Sequence, residues 1–337
     1  MVVAITGGGT GGHLSIAKAL ATEFKNRGIK AIFIGSTHGQ DRAWFENSDL
    51  FEKAYFLQSS GVVNKKGFAK LISLLNIIKL AFSCLKIFKT HGVIKVVSVG
   101  GYSSAPASFA AILGRKEFFI HEQNALTGRL NRLLKPYAKK FYSSYEEPKF
   151  DYPVNSIFFQ TARVRDKAKT IIFLGGSQGA SFINSLATNI APSLVNLGFK
   201  IIHQCGEKEF EKISQIYKEL NLSDKITLVG FCTNLHELIA KADLCVGRSG
   251  ASTLWELCAN ALPTIFIPFP YAAGDHQFYN AKFLQDQNLA IIVRQDEASD
   301  EKILNLIQNY DIKNTSKGLQ NTISSGGAKT IVDDILG

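Results

Sequence analysis

Val2-Val3-Ala4-Ile5-Thr6 followed by Gly7-Gly8-Gly9-Thr10-Gly11-Gly12 opens the chain. Thr170-Ile171-Ile172-Phe173-Leu174 followed by Gly175-Gly176-Ser177-Gln178-Gly179 opens its second half. Each is a short apolar run, a glycine-rich turn and then a stretch of helical periodicity, at residues 13–28 and 180–196. The same grammar recurs at residues 93–99, Gly100-Gly101-Tyr102-Ser103-Ser104 and residues 106–113. Apolar runs that alternate with helical stretches predict strands buried on both faces, and so βα units around a parallel sheet. Two similar openings half a chain apart predict an α/β protein of two Rossmann-like domains.

The 337 residues exceed what one hydrophobic core usually holds and suit two domains. Residues 143–169 carry Glu146-Glu147-Pro148, Pro153 and a charged run at 163–169, which marks a junction. The expected division is 1–158, 159–320 and a terminal helix within 321–337. That helix has apolar positions Ala328, Ile331, Val332, Ile335 and Leu336, and is expected to return to the first domain.

A composition of 46% hydrophobic and 20% charged residues is that of a folded chain, and a formal charge of +10 points to anionic partners or to a surface tuned for solubility. Five cysteines without a Cys-x-x-Cys pair read as reduced thiols, and the first apolar run reads as a strand, not a signal peptide, which predicts a cytoplasmic protein. Residues 71–88 are nearly all apolar but hold Lys79 and Lys86, with Lys65, Lys66, Lys70 and Lys89 around them. The lysines argue against a transmembrane span. Two readings stay open: an amphipathic helix on an anionic membrane, or a core helix with lysines on its wet face.

Glycine turns between strand and helix bring backbone N–H groups and the positive end of a helix dipole to phosphate oxygens. Gly7, Gly9 and Gly12 satisfy G-x-G-x-x-G, but the second strand runs into Gly35-Ser36-Thr37, without the acid that holds a dinucleotide ribose. The turns lack Gly-Lys-Ser/Thr, so a P-loop is excluded. Zinc-finger spacing and aromatic RNP runs are absent too, which predicts no nucleic acid and no metal. In the second half, Ser249 is a candidate helix cap. Glu256, about two turns into the helix, suits a ribose diol or ordinary helix polarity. Asp275-His276-Gln277 and Asn280 offer groups suited to sugar hydroxyls.

With these motifs assembled, Gly7 through His13, Gly100-Gly101-Tyr102, His121-Glu122-Gln123-Asn124, Gly175 through Gly179, Arg248-Ser249-Gly250-Ala251, Pro268-Phe269-Pro270 and Asp275-His276-Gln277 with Asn280 closely resemble the MurG family. These are the N-acetylglucosaminyltransferases of bacterial peptidoglycan synthesis, in glycosyltransferase family 28. The resemblance implies a GT-B fold, two Rossmann-like domains with parallel sheets facing across a cleft. It implies inverting transfer of GlcNAc from UDP-GlcNAc to the MurNAc C4 hydroxyl of lipid I, without cofactor or metal. It further implies a peripheral place on the cytoplasmic face of the inner membrane, and other cell-wall synthesis proteins as partners. Another lipid acceptor, or 2-epimerisation of UDP-GlcNAc, is the alternative within the fold.

By the same resemblance His13 is the candidate base, with a phosphate or backbone hydrogen bond as its other role, and Tyr102 and Glu122 line the acceptor side. Thr10, Gly11, Gly12 and Asn124 would lie near the donor sugar, and Ser177 and Gln178 at its phosphates. The Cys232 backbone would read uracil. Ser252, Thr253 and Glu256 would hold the nucleoside, and Gln277 and Asn280 the GlcNAc. The family's Asn-Pro-Val-Arg is here Ala162-Arg163-Val164-Arg165, so Arg165 keeps its position near the donor without the preceding proline.

Overall fold

A computed structural model describes residues 1–59, 61, 67–176, 180–232 and 234–337, with the backbone alone for Lys70. It divides into two compact units, Met1–Val154 with Gly326–Gly337, and Asn155–Ser325. The divisions expected from sequence fell at 158/159 and 320/321.

The first unit holds strands β1 (Val2–Thr6), β2 (Lys30–Ser36), β3 (Lys53–Leu57), β4 (Val93–Ser98), β5 (Glu117–Glu122) and β6 (Lys140–Ser143). Its helices are α1 (Gly11–Asn26), α2 (Asp41–Phe45), α3 (Gly67–His91), α4 (Ala105–Leu113) and α5 (Arg129–Leu134). All pairings are parallel, in the order β3-β2-β1-β4-β5-β6. The central strand β1 is buried from Val3 to Thr6, as a strand covered on both faces must be.

The second unit repeats the plan. Its strands are β7 (Thr170–Leu174), β8 (Lys200–Gln204), β9 (Ile226–Val229), β10 (Leu244–Gly247), β11 (Thr264–Phe266) and β12 (Ile291–Ile292), in the order β12-β11-β10-β7-β8-β9. Read from its own first strand, β7, this is the same wound order as in the first unit. Helices α6 (Ser156–Gln160), α7 (Ser181–Asn196), α8 (Phe210–Glu219), α9 (Leu235–Lys241), α10 (Ala251–Ala259), α11 (His276–Asp286), α12 (Asp300–Gln308) and α13 (Ile312–Leu319) complete it. In this order the chain leaves β1 and β7 toward opposite sides from β4 and β10, which opens a crevice at the carboxyl ends of those strands.

Helix α3 settles one open reading in part. Ser73, Ile77, Ala81, Cys84 and Phe88 recur at helical spacing and are buried against the first unit's core, largely along α4. The remaining face leaves Phe68, Leu71, Ile72, Leu74, Leu75, Ile78 and Phe82 exposed, Phe68 by 77%. Among the described residues α3 alone is long and apolar enough to cross a membrane by length and composition. With one stripe committed to a soluble core, only the other can meet lipid. Lys65 and Lys66 lie outside the described residues, as does the Lys70 side chain.

The last helix, α14 (Gly327–Leu336), belongs to the first unit and packs on α1. Arg27 of α1 donates to Asp333 at 2.6 Å, and the Tyr142 hydroxyl donates to Asp334 at 2.6 Å. Its first residue touches backbone: a Cβ on Gly327 would lie 2.3 Å from the Asp151 carbonyl oxygen. Gly327→Ala should therefore destabilise the unit. Helix propensity favours alanine by about 0.5–1 kcal/mol, but overpacking against main chain costs about 1–3 kcal/mol. Urea unfolding followed on the first unit should show a lower midpoint; a higher one would mean that α14 is not seated there.

Candidate functional site

At the carboxyl end of the first sheet two glycine turns are seated on each other. Gly8 N–H donates to the Gly100 carbonyl at 3.1 Å. Gly7, at φ 123°, has room for no Cβ: one would lie 2.3 Å from Gly100 O. On Gly101, at φ 81°, a Cβ would lie 2.2 Å from Gly8 O. Both turns need glycine for close approach and for positive φ together.

Asp41 holds the first turn from beneath. It is fully buried and accepts from Gly9 N–H at 2.5 Å and Ser36 N–H at 2.8 Å. Burial raises its carboxyl above the usual carboxylate range, against the lowering pull of those amides. Sequence reading found no acid at the end of β2 and missed this one, five residues beyond Ser36 in sequence but folded back under it. A buried carboxylate on Gly9 removes that amide from any phosphate and leaves no ribose contact. The argument against a dinucleotide thus gains a physical basis.

Thr10 precedes α1 in extended conformation, yet its hydroxyl caps no backbone amide. It meets His13 Nδ1 at 3.0 Å instead. On the other side of the ring, the Gln123 amide nitrogen lies 2.9 Å from Nε2 and 3.3 Å from Nδ1. The ring edge lies over Gly100, where a Cβ would approach Nε2 and Cδ2 to 3.2 Å. Gly11 and Gly12 form the first turn of α1 beside it. His13 is thereby brought together with Thr10, Gly100 and Gln123.

Two residues expected on the acceptor side have structural work. Glu122 is 3% exposed; its Oε1 accepts from Asn124 N–H at 2.9 Å, and its Oε2 from Gly128 N–H and Asn131 Nδ2, each at 2.9 Å. Both oxygens organise the loop after β5 and Asn124 within it. Tyr102 donates its hydroxyl to His38 O at 2.8 Å and sets its ring against Gly9, so it braces the turn. Burial, with Asp41 adding to it, raises the phenol above its ordinary value. Neighbouring His121 is buried and pushed down to about 3 by desolvation and then by the nearby His13, so it stays neutral.

In the second unit Arg165 is likewise engaged by the protein itself. It is fully buried, with all five N–H groups engaged: Nε to Ala242 O, one terminal nitrogen to Arg163 O and Asn260 O, the other to Ile239 O and Asn260 Oδ1. Burial, with Arg163 adding to it, pushes the guanidinium down to about 9. No donor atom is left for a substrate. Asn280 is likewise fully buried and donates to Ser249 O at 3.3 Å, so it ties α11 to the turn after β10. Ser249 does not cap α10, since Gly250 takes that place and the Ser249 hydroxyl is buried.

Other predicted donor residues stay accessible. Ser252 and Thr253 lie partly buried on the first turn of α10, and Cys232 is partly buried after exposed Phe231. Gln277 accepts from Phe269 N–H at 3.0 Å through its oxygen. Ser177 and Gln178 lie outside the described residues. Glu256, partly buried, makes no ion pair among the described residues, and desolvation pushes its carboxyl up to about 8. Arg248, unmarked as a site by sequence, sits between the rings of Phe182 and Phe269 at 5.7 and 5.6 Å. It donates to Ile267 O, Pro268 O and Gln295, has no carboxylate partner among the described residues, and is pushed down to about 10 by burial. A cavity of about 590 Å³ adjoins it, bounded by Phe182, Pro268, Tyr271, Arg294 and, of the residues suited to sugar hydroxyls, Asp275, which is paired with Arg294. Among the described residues no cluster of three His, Cys, Asp or Glu side chains could hold a metal ion.

Residues 3–143 match the glycosyltransferase family 28 N-terminal domain, and residues 170–335 its C-terminal domain. A Campylobacter hominis protein is 60% identical across 100% of this chain and 97% of its own length. It is named UDP-N-acetylglucosamine–N-acetylmuramyl-(pentapeptide) pyrophosphoryl-undecaprenol N-acetylglucosamine transferase. A protein of the same name from Helicobacter pylori is 48% identical over 100% of this chain and 99% of its own. The crystal structure of MurG from Acinetobacter baumannii superposes with a TM-score of 0.81 at 26% identity, covering 99% of each chain.

The Glu256 carboxyl gives a signed prediction. Its folded value of about 8 lies above the ordinary 4.5. The fold therefore holds that proton more tightly than the unfolded chain, and the group's contribution is lost as pH rises toward and through 8. Glu256→Gln should melt with wild type near pH 4.5 and above it at pH 8.5. Equal melting at both pH values would show that the carboxyl is not desolvated.

Proposed function

The chain belongs to glycosyltransferase family 28, and from that premise we propose that it transfers GlcNAc from UDP-GlcNAc to the C4 hydroxyl of the MurNAc in undecaprenyl-pyrophosphoryl-MurNAc-pentapeptide, with inversion. The observation that carries this reading is His13: an imidazole at the start of α1, held by Thr10 on one side and Gln123 on the other. In the proposed step the acceptor hydroxyl loses its proton to His13 while its oxygen bonds to the anomeric carbon. The bond from that carbon to the phosphate oxygen breaks, and its electron pair leaves with UDP. An imidazole with an ordinary value near 6.5 suits this transfer at neutral pH.

The donor is assigned to the second unit. Glu256 accepts from the ribose diol, and binding there replaces the hydrogen bonds that its desolvated carboxyl lacks. Ser252 and Thr253 support the nucleoside, and the Cys232 backbone reads the uracil edge. The amides and side chains of the 175–179 turn, with Ser177 and Gln178, hold the phosphates, and the uncompensated charge of Arg248 favours the growing negative charge on UDP. Gln277 presents its amide N–H groups to the GlcNAc hydroxyls. Thr10 and Asn124 are the further candidates for contact with the transferring sugar.

The exposed face of α3 supplies the membrane contact, as a peripheral protein on the cytoplasmic face of the inner membrane requires. Its apolar side chains enter the interface while Lys79, Lys86 and Lys89 meet anionic headgroups.

His13→Ala should lower kcat by about 100-fold or more, on the scale of a lost general base, and leave UDP-GlcNAc affinity nearly unchanged by calorimetry. Equal losses of turnover and affinity would make His13 a binding group. UDP release that does not depend on the lipid acceptor would favour an epimerase instead. Leu75→Glu with Ile78→Glu should abolish co-sedimentation with vesicles containing phosphatidylglycerol and spare activity on a short-chain, water-soluble acceptor. Unchanged sedimentation removes α3 from the interface.

A further inference from the structure

The loop that leaves β9 starts with a peptide group held at both of its ends. Its carbonyl, that of Gly230, accepts from the Gln204 side-chain amide at 2.8 Å and from Gly206 N–H at 3.1 Å. Its N–H, that of Phe231, donates to Glu207 Oε2 at 3.2 Å. Gly230 is buried and has no room for a side chain: a Cβ would lie 2.7 Å from Glu207 Oε2 and 3.2 Å from the Phe210 ring. Phe231 is 58% exposed, so hydrogen bonds, not packing of its ring, fix this part of the loop.

Gln204 ends β8, the strand between β7 and β9, and is 5% exposed. Its amide nitrogen donates a second time, to Gly176 O at 3.2 Å in the turn after β7. Both partners are carbonyl oxygens, which only the nitrogen end of the amide can face. One side chain thus ties the turn assigned to the donor's phosphates to the loop assigned to its base. Glu207 lies on the exposed side of the same loop, at the start of a single 3₁₀ turn, Glu207–Glu209, and reaches the base loop alone.

We propose that Glu207 is a positioning residue for nucleobase selectivity, working with Gln204 from opposite ends of the 230–231 peptide group. Peptide groups are planar, so with this one clamped only φ and ψ of Phe231 separate it from the N–H of Cys232. The inference rests on the reading of the Cys232 backbone as the group that meets the base. A backbone N–H and C=O together match uracil, whose O4 accepts and whose N3–H donates. Cytosine reverses both, with an amine at C4 and a bare N3, and so sets donor against donor and acceptor against acceptor. A loop free to turn relieves that mismatch; a clamped one enforces it. Selectivity is a difference of two affinities, and the clamp acts on that difference.

The test is calorimetric titration of the full chain with UDP and with CDP, which needs no turnover. Wild type should bind UDP about 100-fold tighter than CDP, as a site built on hydrogen bonds to the base requires. Glu207→Ala should lower that ratio about tenfold, the scale of one misdirected hydrogen bond, chiefly through weaker UDP binding. Glu207→Gln keeps an oxygen within reach of Phe231 N–H and should restore the ratio. A ratio that keeps its wild-type value in Glu207→Ala overturns the proposal, because a merely structural role weakens both nucleotides equally. If Glu207→Ala does not fold, Gly230→Ala decides, since its methyl group displaces the same carboxylate; an unmoved ratio there overturns the proposal as well. Wild type that binds UDP and CDP alike sinks the reading of Cys232 and the clamp with it. Strong UDP preference that survives Glu207→Ala leaves the Cys232 reading standing and removes only the clamp.

Discussion

The seating of one glycine turn on another is the constraint on which the first unit's site depends. Gly7 and Gly8 lie so close to Gly100 and Gly101 that backbone meets backbone, with no space for a Cβ on Gly7 or Gly101. This contact joins the carboxyl ends of β1 and β4, the two central strands of that sheet. It sets the direction in which α1 leaves the sheet and hence where its third residue, His13, stands over Gly100. Asp41 beneath and Tyr102 beside the turn keep it there.

The second unit is fixed by a different device. Arg165 gathers three backbone carbonyls and the Asn260 side chain from α9, the segment after it and the end of α10, and the Arg163 carbonyl of its own segment. Asp243 meanwhile takes Arg163 and the amides of Lys169 and Thr170. The segment entering β7 is thus bonded to the unit along its length. A charged run that reads as a junction is here part of the second unit's scaffold. The polar groups kept accessible in that unit include Gln277 on the first turn of α11 and Glu256 on the second turn of α10.

Structural duty and substrate contact divide residues that look alike in sequence. Glu122 and Glu256 are both acids near strand-to-helix turns. One has both oxygens saturated by amides; the other is desolvated without compensation. Arg165 and Arg248 are both partly stripped of water. One has every N–H engaged by carbonyls, while the other lies between aromatic rings at the edge of a cavity.

The sequence by itself determined the parallel α/β class, the two-unit repeat, the glycine turns and the family. Strand burial and turn geometry are local properties that composition and spacing record directly. His13, Glu256 and Gln277 could be named as candidates because they lie within or soon after those motifs. Tertiary structure alone decided that Glu122 and Arg165 are buried and saturated and Asn280 buried, that Asp41 folds back under Gly9, and that Gln123 meets His13 from 110 positions away. It also decided which stripe of α3 is core. The physical reason is that hydrogen-bond saturation and desolvation depend on partners from distant strands, which no local pattern encodes.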